Sequence, residues 1–157
     1  GALAQRSSFR APDAQPMTDQ VPARHGRSID PRIAVMLQHV SIEVPRDEVE
    51  RTIEFWRLLG FARVPPPEPI AEYVTWLERE GTQIHLIHTD EATVPPLGHA
   101  AVVADDFQAT FDRLGEAGYE IEESRQLWGE RRAFAIGPGG HRVELMEAPP
   151  PAAGRPG

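Results

Sequence analysis

Leu37-Gln38-His39-Val40-Ser41-Ile42-Glu43-Val44 alternates apolar and polar residues, as a half-buried strand should. Sixty positions later comes Leu97-Gly98-His99-Ala100-Ala101-Val102-Val103-Ala104, with Leu on Leu and His on His. The sequence that follows each strand repeats as well. Asp47 with Glu50, and Asp105 with Gln108, have the spacing of a helix N-cap and its reciprocal partner. Val49, Ile53 and Trp56, then Phe107, Phe111 and Leu114, recur at i, i+4, i+7 and mark one buried helix face. Each predicted helix stops at a glycine, Gly60 or Gly118, and an aromatic follows each: Phe61 and Tyr119.

Strand-like stretches complete each copy. Residues 73–77 correspond to 131–135, with Trp76 and Phe134 at equivalent places. A glycine turn, at Gly81 or at Gly139-Gly140, then leads into a last strand, over 82–88 in the first copy and 141–147 in the second. Residues 62–72 and 120–130 can each supply one more strand, the first interrupted by Pro65-Pro66-Pro67. Each copy therefore reads as strand, helix, then about three strands. One helix covers one sheet face, and the other face needs a partner. The expected fold class is α+β: two tandem modules, over 36–90 and 96–147, forming a curved mixed sheet with helices outside and a cleft inside. The whole domain spans 35–148. It is flanked by an arm over 1–34 without periodicity and a Pro/Gly-rich tail over 149–157.

Composition narrows the function. The chain has 157 residues, no Cys, and only Arg as its basic residues. Thiolate chemistry is excluded, and so are Schiff bases and a phosphate-loop lysine. Net charge is −8. The first 34 residues carry five Arg against Asp13, Asp19 and Asp30, so the acids concentrate in the body. An acidic body repels phosphate backbones, which argues against nucleic acid as a partner. No apolar run has the ~18 residues a membrane span needs, and no apolar block of signal-peptide type opens the chain. A cytoplasmic location is expected.

Strand parity selects the chemical groups. Val40, Ile42 and Val44 share the face under the first helix, so His39 points the other way. The same argument sends His85, His99 and Glu144 to the cleft side. His39 matches His99 in the repeat, and His85 matches Glu144. A single histidine on a strand is more often an ordinary hydrogen-bonded residue than a ligand, and Glu144 alone could be solvated or paired with an Arg such as Arg142. Three imidazoles and a carboxylate converging without a counter-ion would be costly. A divalent cation (Zn, Ni, Co, Mn or Fe) resolves this, because imidazole and carboxylate are good ligands for such metals. Trp76 and Phe134 are candidates for a substrate wall, and Arg132 for a substrate anion. Glu43 is a further carboxylate on the cleft face, and His88 and His141 are expected to be exposed at strand ends.

Over residues 36–147 the sequence resembles the vicinal-oxygen-chelate superfamily, which includes glyoxalase I, methylmalonyl-CoA epimerase, fosfomycin-resistance proteins, extradiol dioxygenases and bleomycin-binding proteins. The resemblance is carried by Leu37-Gln38-His39-Val40, Gln83-Ile84-His85-Leu86, Gly98-His99, and the closing stretch from Phe134 to Leu145. It implies paired βαβββ modules and metal ligands at His39, His85, His99 and Glu144. It also implies a metal-dependent lyase or isomerase of glyoxalase type, acting on a small oxygen-chelating substrate through an enediolate or oxyanion, with Glu144 as the base. The resemblance equally admits a non-catalytic drug- or ligand-sequestering protein of bleomycin-resistance type, or an Fe(II) dioxygenase. Glyoxalase-like members carry Glu at the position of His85 and the epimerases Gln, so a two-base isomerisation lacks its second carboxylate here. A homodimer is expected, and the repeat leaves open whether the site lies within one chain or is shared between two.

Overall fold

A computed structural model of the protein describes residues 37–151. The predicted arm over 1–34, and the predicted tail from 152 on, lie outside the described residues. The first module runs β1 (His39–Pro45), α1 (Val49–Leu58), β2 (Ala62–Val64), β3 (Val74–Arg79) and β4 (Thr82–Thr89). The second runs β5 (His99–Val103), α2 (Phe107–Glu116), β6 (Glu120–Ser124), β7 (Arg132–Ile136) and β8 (Arg142–Met146). Each forms a four-stranded mixed sheet, in the order β1-β4-β3-β2 or β5-β8-β7-β6. In each sheet the last strand inserts beside the first, parallel to it, and antiparallel to the third. This is the duplicated βαβββ architecture that the repeat predicts.

The helix ends follow the sequence closely. After α1 the Gly60 amide donates to Arg57 O at 3.0 Å, and the Phe61 amide donates to Trp56 O at 3.1 Å. After α2 the same two bonds run from Gly118 to Gly115 and from Tyr119 to Leu114. Both glycines have positive φ, +87° and +84°, where a side chain would be strained. The aromatic after the first glycine folds back edge-on over Trp56, with ring centroids 5.1 Å apart.

The helix starts differ from expectation. Residues 46–48 form a 3₁₀ turn, so Glu48 rather than Asp47 precedes α1, with no side-chain cap. Asp106, not Asp105, caps α2 by accepting from the Ala109 amide at 2.9 Å. Asp105 is thereby free to pair with Arg79 of the first module at 2.9 Å.

The apolar faces of both sheets and both helices feed one continuous cluster, which includes Val44, Phe55, Trp56, Leu77, Leu86, Leu114, Val143 and Leu145. Phe55 joins the modules: its ring meets Tyr119 edge-on at 4.9 Å and lies against Gly137 of the second module. His141, expected to be exposed, is buried instead, and its Nε2 lies 2.6 Å from Glu43 O across the module junction. With the apolar face of each sheet committed to this core, His39, His85, His99 and Glu144 are left on the opposite faces, as parity requires.

Candidate functional site

In the first sheet Ser41 pairs with His85, and Trp76 pairs with His85 from the other side. Paired residues point to one face, so His39, His85 and Trp76 share it. Their rings form a continuous stack. Trp76 and His85 are 4.3 Å apart and 2° from parallel; His85 and His39 are 4.1 Å apart and 16° from parallel. Two glutamines hold the imidazoles. Gln38 Oε1 lies 2.7 Å from His39 Nδ1, and Gln83 Oε1 lies 2.9 Å from His85 Nε2. Burial, reinforced by the neighbouring His39, lowers the pKa of His85 below the ordinary imidazole value. Its ring is therefore neutral near pH 7 and keeps a lone pair.

The second sheet carries the equivalent arrangement. Ala101 and Phe134 flank Glu144 as Ser41 and Trp76 flank His85. His99 Nδ1 lies 2.9 Å from Leu97 O. A carbonyl can only accept, so Nδ1 is the donor. In the neutral ring Nε2 then holds a lone pair, and it lies 3.2 Å from Glu144 Oε2. Two acceptors thus face each other unless a proton or a cation lies between them. Phe134 meets the His99 ring edge-on at 5.2 Å.

Arg132 departs from its expected role. Its Nε bonds Glu144 Oε1, its Nη1 donates to Arg125 O at 3.1 Å, and its guanidinium sits 5.2 Å from the Trp128 ring. Only about a tenth of each side chain is exposed, 11% for Arg132 and 8% for Glu144. Arg132 is thus a built-in counter-ion for Glu144 rather than a free anion anchor. The charge of the carboxylate is thereby balanced within the chain. Glu43 is also committed, since its Oε2 accepts from the Thr93 amide at 2.7 Å and pins the segment between the modules. His88 is partly buried beside Thr75.

The structure brings together His39 with His85, and His99 with Glu144. It does not bring the pairs together: among the described residues no three His, Asp or Glu side chains are close enough to hold one ion. Three groups escaped the sequence reading. Gln38 and Gln83 were invisible as partners because they read as the polar half of an alternating strand. Arg142, which stacks at 4.3 Å over Phe134, alternates with Glu144 on the site face, a signal that parity already contained.

Comparison with known proteins agrees with this architecture. The sequence model of the Glyoxalase/Bleomycin resistance protein/Dioxygenase superfamily matches residues 37–145. No curated protein matches the chain in sequence. Among solved structures, a glyoxalase family protein from Bacillus anthracis superposes with a TM-score of 0.66 at 20% identity, over 71% of this chain and 93% of that one. The oxidase ChaP-H2 gives 0.61 at 24% identity, over 77% and 99%. A bleomycin resistance determinant encoded on the transposon Tn5 gives 0.50 at 18% identity, over 69% and 95%. At these identities the likeness is one of fold.

Proposed function

Because the chain belongs to the Glyoxalase/Bleomycin resistance protein/Dioxygenase superfamily, we propose that it is a metal-dependent enzyme of glyoxalase type, a lyase or isomerase acting on a small oxygen-chelating substrate. Its metal centre would be completed between two copies of the chain, His39 and His85 of one copy facing His99 and Glu144 of the other. The observation that carries this reading is the facing pair of acceptors, His99 Nε2 and Glu144 Oε2. The donor set fits a divalent first-row cation. His39 and His99 each engage Nδ1 with a carbonyl oxygen and keep Nε2 for a ligand bond, while His85 engages Nε2 and keeps Nδ1. Tethering one ring nitrogen to an oxygen acceptor is the usual way a metal-binding imidazole is oriented.

A cation held there would supply Lewis acidity toward a substrate oxygen. The chain's own groups do the rest. Arg132 fixes Glu144 Oε1 and leaves Oε2 as the atom that takes and returns a proton. Trp76 and Phe134 form walls beside the two pairs, and Trp76 holds the plane of His85. Such a protein works as a cytoplasmic homodimer with two equivalent centres. One observation favours a second reading, a sequestering protein without catalysis: Arg132 already satisfies the charge of Glu144 with no metal at all.

Complementation tests the proposal. The doubly substituted chains His39→Ala/His85→Ala and His99→Ala/Glu144→Gln should each bind no metal as homodimers. Unfolded, mixed and refolded together, they should recover metal in about a quarter of the sites, because each mixed dimer regains one intact centre. A centre within a single chain predicts no recovery. Wild-type protein that holds no metal after incubation with Zn, Ni, Co, Mn and Fe supports sequestration instead.

A further inference from the structure

A cavity of about 360 Å³ lies where β1, β5 and the start of β8 meet. Val40, Ile42, Ala100 and Val143 line it from the helix side of the two sheets. His99 and Arg142 alternate with Ala100 and Val143, so their side chains lie on the opposite face, and the cavity is separate from the donor pairs. Trp56 of α1 completes the apolar lining and is 2% exposed. Among the described residues, every side-chain nitrogen or oxygen sealed from solvent has a hydrogen-bond partner. The Trp128 indole donates to Ala148 O at 3.2 Å, but the Trp56 indole N–H has no partner among the described residues. It is therefore not sealed, and the open space that Trp56 lines is this cavity. His141, two residues before Val143 and on the same side, also lines the cavity and is 9% exposed. Its Nε2 lies 2.6 Å from Glu43 O and carries the proton, because a carbonyl only accepts. In the neutral ring Nδ1 then keeps a lone pair, which no described residue engages.

We infer that this cavity is a second binding site, for a small neutral molecule with a hydrocarbon body and a hydroxyl, such as a phenol or a monocyclic alcohol. An apolar pocket of this size with a few polar groups is what a small-molecule site looks like. A donor and an acceptor on largely buried side chains are left without partners in the free protein, which costs free energy. A hydroxyl answers both, since its oxygen accepts from Trp56 Nε1 and its proton is available to His141 Nδ1. A bare hydrocarbon would gain the apolar contacts and leave both groups unpaired. A carboxylate would be buried without a counter-ion, because Arg142, the one arginine of the lining, faces the other way. The inference does not depend on the proposed metal centre, which lies on the opposite sheet faces.

The test uses the full-length protein in EDTA, with para-cresol, toluene and para-toluate as probes of one shape. Calorimetry gives the affinities, and heteronuclear NMR of the indole N–H groups reports the site, with the Trp56 resonance identified by its loss in Trp56→Phe. Para-cresol should move that resonance and bind about fivefold more tightly than toluene, and para-toluate should leave it in place. Trp56→Phe should bring para-cresol down to the affinity of toluene. Ala100→Leu, which fills the cavity and keeps both polar groups, should abolish binding of both, with the fold checked by circular dichroism. A Trp56 resonance that para-cresol leaves unmoved, toluene binding as tight as para-cresol, para-toluate displacing para-cresol, or binding that survives Ala100→Leu overturns the inference. Because EDTA removes any metal, each of these outcomes leaves the proposed function standing.

Discussion

His99 Nε2 lies 3.2 Å from Glu144 Oε2 while its Nδ1 is tied to Leu97 O. The residues are 45 positions apart, and only the parallel pairing of β5 with β8 brings them side by side. On its other oxygen Glu144 meets Arg132, so a single carboxylate links an imidazole and a guanidinium.

That link makes Glu144 a stability residue as well as the proposed base. Glu144→Gln leaves the Arg132 cation largely buried and unpaired, which costs about 3 kcal/mol. Replacing both partners with apolar residues, Arg132→Met with Glu144→Leu, removes the charge from both sides and should cost less than the single change. Urea denaturation of wild type and the two variants measures the difference. A single variant as stable as wild type would show that the ion pair is solvated rather than buried.

His85 gives the stability of the metal-free protein a pH dependence. Its folded pKa lies below the ordinary value of 6.5, through burial and then His39. The unfolded chain therefore takes up a proton that the folded chain refuses. Its contribution is fully present above about pH 6.5 and is lost as pH falls from there toward the lower folded pKa. Melting temperatures recorded in EDTA between pH 8 and pH 5 should fall more steeply for wild type than for His85→Gln. Parallel curves would refute the assignment.

The two helix starts should respond differently to loss of an acid. Asp106→Ala removes the bond to the Ala109 amide and should cost about 1 kcal/mol. Asp47→Ala removes no cap and should fall within about 0.5 kcal/mol of wild type. Thermal melts of the pair provide an internally matched comparison.

Gly137 is where the second module receives Phe55. A Cβ there would approach the Phe55 ring to 3.1 Å, and that ring is already wedged against Trp56 and Tyr119. Gly137→Ala should destabilise by about 1–3 kcal/mol through overpacking. The compensating change Phe55→Leu in the same chain should recover part of the loss. Additive losses in the double variant would show that the ring is not the obstacle.

Much of this molecule was legible from the repeat. Offsets of 58 to 60 residues placed all eight strands and both helices, and parity placed His39, His85, His99 and Glu144 on the correct sheet faces. What failed was either very local or very distant. Asp47 lost its cap because Pro45 leads into a 3₁₀ turn, and two adjacent aspartates at 105 and 106 cannot be told apart by spacing alone. His141 meets a carbonyl 98 residues away, and no sequence period reports such a contact. Arg131 and Arg132 look interchangeable in the sequence, yet the pleat sends the first to Glu123 and the second to Glu144. Whether two donor pairs form one centre depends on how modules meet, and periodicity within a module carries no information about that.

The position of β4 and β8 in their sheets bears on how the protein is made. Each is the last strand of its module to leave the ribosome, yet each lies between two strands synthesised earlier. Until it arrives, the first strand and the hairpin before it have no common neighbour. A nascent chain stopped before Arg142 would lack both the keystone of its second sheet and the acid at residue 144, so a truncated product cannot be a folded competitor for the finished one.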